Sequence, residues 1–119
     1  MDEVVLYNRF GQAVFRLCDD AFYDYRGQPR GFLVGRTVYD ARGQHRGFYV
    51  NGVMRDRMGK VVGYTADARV PDLRLPECTI PPVPYKNLPA PEKPVSLPER
   101  EFRGGPPVWS IMQLANLLV

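Results

Sequence analysis

The sequence predicts an all-β protein: four 16-residue β-hairpin repeats with pseudo-fourfold symmetry, followed by an extended proline-rich C-terminal arm. Three observations carry this reading. First, Gly11, Gly27, Gly43 and Gly59 stand 16 residues apart, and three residues before each lies a short turn-forming side chain: Asn8, Asp24, Asp40 or Asp56. Second, the neighbouring columns keep the same register. Tyr7, Tyr23 and Tyr39 (Arg55 in the fourth copy) precede the turn, Gln12, Gln28, Gln44 and Lys60 follow it, and Gly31, Gly47 and Gly63 recur further on, with Phe15 in the first copy. Third, of 12 prolines only Pro29 precedes Pro71. The chain therefore divides into a four-repeat module at 1–68, a proline-rich strap or linker at 69–107, and an apolar docking segment at 108–119.

The third copy shows the local grammar. Val38 to Asp40 is a short run of β-branched and aromatic residues, which reads as a strand. Asp40-Ala41-Arg42-Gly43 is a type I turn whose aspartate can accept backbone N–H groups, closed by a glycine in the left-handed region. Such a turn makes a three-residue hairpin loop with a bulge. Gln44 to Val50 returns as the second strand, and Asn51-Gly52 is a two-residue turn into the next copy. Asp19-Asp20 and Gly35-Arg36 take that place in the earlier copies. Eight strands in one antiparallel meander follow, with no helix before residue 70. Terminal copies depart from the pattern, as repeats without a neighbour on one side often do.

Strand alternation puts every second residue on one face. Three columns are read as one face: Leu6, Phe22, Val38, Met54; then Arg16, Phe32, Phe48, Tyr64; then Cys18, Val34, Val50, Ala66. On this reading Cys18 is a buried structural thiol, and Tyr7, Tyr23 and Tyr39 lie on the opposite face, either exposed beside arginines, lining the ring's interior, or beneath the tail. Glycines inside strands mark bulges or close backbone approach, and such approaches around an axis fit a closed ring.

The repeated Tyr-Asp-x-x-Gly-Gln-x-x-Gly-(Phe/Tyr) pattern, with its proline-rich tail ending near Trp109, resembles the bacterial proteins called four-fold β-flowers. The resemblance runs through residues 4–68 by repeat and through 69–119 by tail composition. It implies hairpins about a pseudo-fourfold axis and carries no established activity. Similarity to the YD repeats of bacterial toxin shells and to MORN repeats is weaker, because their periods are not 16 residues.

Prolines recur from Pro71 to Pro107, fixing φ and removing donors, which excludes a long helix or central strand. Leu73, Leu75, Ile80, Val83, Tyr85, Leu88, Val95 and Leu97 are interspersed, more apolar residues than a solvated linker requires. A strap laid on the module over residues 70–90 is the favoured state. In the terminal segment Ser110 is a candidate helix cap, with Ile111, Leu114, Ala115 and Leu118 along one side. A helix this short is unstable alone, so it must dock on its own module, a second copy or a foreign partner.

The formal charge of +3 lies in the repeats, where through Arg69 there are 11 Lys/Arg against eight Asp/Glu. That is modest for a nucleic-acid-binding domain. Cys18 and Cys78 have no CxxC or Cys/His cluster around them, so neither a disulfide scaffold nor a zinc site is indicated. The start Met1-Asp2-Glu3 lacks the features of a signal peptide, and no apolar run approaches the ~20 residues of a membrane helix. Cytoplasmic location and no membrane contact are expected. His45 is the single histidine and serine occurs only at Ser96 and Ser110, so no catalytic triad or phosphate loop is visible. The recurring aspartates are explained as turn formers rather than a cation ring.

The sequence thus leads to a non-enzymatic protein-interaction or structural module with no cofactor. Its candidate interaction surface is Tyr7, Tyr23, Tyr39, Arg30, Arg46, Arg57, Trp109, Leu114 and Leu118. Its candidate partners are a second copy, through the C-terminal arm, or another protein. The alternative is binding of nucleic acid or another polyanion by an arginine-rich rim.

Overall fold

The computed structural model describes residues 3–94 and 97–118. Val95, counted above among the apolar residues of the tail, and Val119, the last residue of the docking segment, lie outside that range. Eight antiparallel strands, β1 (Glu3–Tyr7), β2 (Ala13–Cys18), β3 (Ala21–Tyr23), β4 (Pro29–Val34), β5 (Thr37–Asp40), β6 (His45–Val50), β7 (Val53–Asp56) and β8 (Val61–Tyr64), form a closed barrel in sequence order. The seam between β1 and β8 is a single residue pair, Tyr7 with Tyr64. A short helix, α1 (Leu114–Leu117), follows the tail.

Each hairpin turn is held the same way. One side-chain oxygen of Asn8, Asp24, Asp40 or Asp56 accepts the N–H groups two and four residues on, at 2.9–3.0 Å. The closing glycines have φ of 76–87°, a region that a Cβ disfavours. The register slips by one residue at every such turn, between Leu6 and Tyr7, Phe22 and Tyr23, Val38 and Tyr39, and Met54 and Arg55. These are β-bulges.

The bulge corrects the sequence reading of the faces. Without the slip, Val38 and Phe48 would share a face; with it, Val38 pairs with Gly47, and Thr37 with Phe48. Leu6, Phe22, Val38 and Met54 are completely buried inside the barrel. Their interior companions are Leu17, Leu33 and Tyr49, across the ladder from Phe22, Val38 and Met54. The Arg16, Phe32, Phe48, Tyr64 column lies outside, paired with Tyr23, Tyr39, Arg55 and Tyr7. Cys18 goes with this outer column. It is half-buried, 3.6 Å from Glu3 Oε2 and 3.7 Å from Asn87 Nδ2, rather than packed in the core.

The inner glycines make room. A Cβ on Gly47 would stand 2.0 Å from the Arg55 carbonyl oxygen, and one on Gly63 2.8 Å from Leu114 Cδ2. Leu114 lies against Gly63 and Leu118 against Gly31, and Leu114, Leu117 and Leu118 are all buried in the cluster that holds Leu6 and Met54. In the first copy Phe15 fills the equivalent place from within.

The helix differs from the expected one. Ser110 Oγ accepts the Met112 N–H at 3.0 Å, closing a local turn, and Gln113 stands at the helix start without a side-chain cap. Ile111 is 98% exposed and Ala115 is exposed. The buried stripe is Leu114, Leu117 and Leu118, because only one turn of helix fits the barrel mouth and these i, i+3, i+4 positions face into it.

The tail runs around the outside. It passes the four turn glycines in order, by backbone at Gly11 (Glu77 and Cys78), Gly27 (Lys86 and Asn87) and Gly59 (Gly104 and Gly105), and by the side chains of Pro94 and Leu97 at Gly43. Thr79 N–H donates to Gly11 O, Tyr85 N–H to Tyr25 O and Leu88 N–H to Gly27 O, at 2.8–3.0 Å. Near the seam, Val61 N–H donates to Val108 O and Ser110 N–H to Val61 O, which gives β8 a short parallel partner where β1 has ended.

Leu114→Ala is expected to cost about 2–5 kcal/mol in a denaturant titration, as for other buried leucine truncations. Ile111→Ala, at an exposed site, should change stability by less than about 0.5 kcal/mol. Equal losses at the two positions would contradict the seating of the helix.

Candidate functional site

The sequence-derived surface does not stand open. Tyr7, Tyr23 and Tyr39 are 6%, 8% and 1% exposed, because the tail covers the outer column to which they belong. Tyr39 O–H donates to the Pro98 carbonyl, and Tyr64 O–H donates to Pro76 O at 2.7 Å. Burial, with Cys78 nearby, pushes the Tyr64 phenol up to about 12. Leu114 and Leu118 are consumed in the barrel. Trp109 is half-buried, its ring 6.1 Å from Tyr64 and the Arg9 guanidinium 5.6 Å above it. These residues hold the fold rather than offer a contact surface.

Arg16, the polar exception in its column, shows how closely the tail is fitted. It is 2% exposed and reaches Asn87 Oδ1 at 2.6 Å, Asp24 O at 2.7 Å and Glu3 Oε2 at 3.2 Å. Its guanidinium also lies 5.3 Å from the Tyr25 ring. The other copies put an aromatic ring in this position, so one buried cation with several acceptors replaces apolar packing there.

The three arginines of the predicted rim are split. Arg30 lies in one groove with Asp24, its Nε 3.1 Å from the carboxylate. Arg46 and Arg57 lie in another, lined also by Gly43, Gln44, His45 and Arg100, with a volume of about 520 Å³. Arg46 is fixed there, its Nε donating to Leu117 O at 2.7 Å and its Nη2 to Asn116 O at 3.2 Å. Arg100 comes from the tail, where its N–H donates to Thr37 Oγ1 at 2.7 Å. Sequence reasoning missed Arg100. It lies outside the repeat, and no spacing links it to Arg57.

His45 sits on a wall of this groove, its Nε2 donating to Gly47 O at 3.0 Å and its ring 5.0 Å from Phe48. Burial, with Arg100 and Arg57 adding to it, holds its pKa below 6.5, against the raising effect of the Gly47 carbonyl. No carboxylate lines the groove with it, so a histidine–carboxylate pair is not assembled there. Among the described residues no group of three or more His, Cys, Asp or Glu is placed to hold a metal ion, and no helix is long and apolar enough to cross a membrane.

Besides Met58 and the 108–112 segment, large apolar residues face solvent on the tail. Ile80, Val83, Tyr85 and Leu88 are 95%, 89%, 71% and 48% exposed. They lie on the tail between the first and second turns, in a stretch whose backbone is bonded to the barrel at Thr79, Tyr85 and Leu88. Phe10, also exposed, is in the first of those turns. A third groove, of about 710 Å³, runs beside the start of the tail, between Tyr64 and Cys78, and Arg69, Arg74 and Glu77 line it.

A histidine with a lowered folded pKa binds fewer protons when folded than when unfolded. Its linkage leaves stability unchanged above about pH 6.5 and removes stability as pH falls below that value. The groups facing it are Arg57, Arg100 and the Tyr39 ring. Between about pH 7 and 5, His45→Gln is therefore expected to lose less stability than the parent in parallel denaturant titrations; identical slopes would show that His45 is free to titrate.

Comparison with known proteins gives one family match: the family described as 4-fold beta flower protein, over residues 4–118. No curated protein and no solved structure matches the chain.

Proposed function

The chain belongs to the 4-fold beta flower protein family, and we propose that it acts without catalysis, as a protein-interaction module whose contact surface is the tail between the first two turns. One observation carries the reading: Ile80, Val83 and Tyr85 point to solvent from a stretch whose ends are bonded to the barrel. Large apolar side chains held outward in a cluster cost free energy in water and mark contact surfaces. A strip already fixed in an extended form also loses little entropy on docking. The prolines on either side strengthen that effect, since they restrict the unbound strip to extended geometry.

The partner is accordingly a protein with an apolar strip of its own. Leu114, Leu117 and Leu118 are spent on the barrel core, so these leucines of the docking segment are not the contact; the exposed strip at 80–88 takes their place.

A photo-reactive amino acid placed at Val83 is expected to give a discrete crosslinked product in cells, either of doubled mass or with a second protein. The same group at exposed Glu92 should give none. No product at Val83, or equal products at both positions, would overturn the reading.

A further inference from the structure

The groove that gathers Arg46, Arg57 and Arg100 has no part in the contact surface proposed above, and its chemistry points elsewhere. Three arginines line it from three separate parts of the chain: strand β6, the turn between β7 and β8, and the tail. None of the three forms an ion pair among the described residues, and neither Arg57 nor Arg100 donates a side-chain hydrogen bond there. Other arginines of the chain do find carboxylates: Arg16 with Glu3, Arg30 with Asp24 and Arg36 with Glu99. Like charges brought together without a counter-charge repel, and a bound anion relieves that repulsion.

The site is built rather than incidental. Arg46 is fixed by two carbonyl acceptors, and the backbone of Arg100 is pinned on Thr37. Phe102, two residues on, packs against Phe48 with ring centroids 5.1 Å apart, which fixes the tail on both sides of Arg100. The planar guanidinium fork matches the geometry of phosphate and carboxylate oxygens. The groove holds about 520 Å³, which exceeds a single phosphate and suits a small molecule carrying several charges.

We propose that this groove binds a small multivalent oxyanion, an oligophosphate or a polycarboxylate, with Arg46, Arg57 and Arg100 supplying the charge and the donors. His45 adds a further donor when protonated, because its Nε2 hydrogen is already given to Gly47 O and the Nδ1 position gains one. Residues from the repeats and from the tail are both needed, so the site exists only while the tail is in place.

The test is calorimetric titration of the full chain at low salt with sodium tripolyphosphate and, separately, with citrate. Saturable binding of one per chain is expected for at least one of them, and whichever binds more tightly identifies the phosphate or the carboxylate class. Arg57→Ala and Arg100→Ala are each expected to weaken it roughly tenfold or more, the usual effect of losing a charge-assisted bond. Both side chains are exposed, so the variants should keep the parent melting temperature. Arg30→Ala, in the other groove, should bind as the parent does. In a proton NMR titration the His45 midpoint should move up when the bound anion is present. No saturable binding of either probe, or binding unaffected by both variants, would overturn the proposal. Binding of long RNA alone, without either small anion, would also overturn it and assign the arginines to a nucleic acid.

Discussion

The structure depends on one interaction repeated in every copy: a single side-chain oxygen accepting two backbone N–H groups in the Asn/Asp-x-x-Gly turn. It fixes the loop length, and the loop length forces the one-residue slip beside it. The slip decides which residues face inward. Without it the glycines would not face the interior and the tyrosines would not face out. The barrel needs both. Its strands are only three to six residues long, too short to bury an interior and leave an ordinary polar exterior. The outer wall is therefore aromatic, and it requires a cover.

The tail supplies that cover by means consistent with its composition. A proline-rich segment cannot donate a continuous ladder, but it can offer carbonyls. Tyr39, Tyr64 and Arg55 all find tail carbonyl oxygens, at Pro98, Pro76 and Pro106. Buried hydroxyl and guanidinium donors are expensive to leave unpaired, and a segment rich in acceptors and poor in donors meets the need. The tail touches the barrel mainly at the turns, where backbone groups are free, and its last helix then fills the barrel mouth.

Much of this was legible in the residues. Period, turn type, bulge, strand count and ring closure all follow from columns that repeat in register. The facing of the columns was harder: the bulge was legible, but its effect on parity must be carried across the whole hairpin before Val38 and Phe48 separate. The helix face was obscured because Ile111 and Ala115 keep helical spacing with Leu114 and Leu118, yet the helix begins after Ile111. The arginine groove was half legible. Arg46 and Arg57 stand in the repeats, whereas Arg100 reaches them only because the tail has a particular course, and a course without a repeat leaves no periodic trace.

The leucines of α1 also bear on the number of copies. Barrel width grows with strand number, so a fifth repeat would bring ten strands and a wider mouth. Leu114, Leu117 and Leu118 occupy an interior that Gly31 and Gly63 leave open and Phe15 narrows. They would leave a void in any larger ring, and a smaller ring would have no room for them. The helix acts as a gauge of circumference: duplication or loss of a repeat, common in tandem sequences, is penalised at a segment more than 45 residues beyond the last copy.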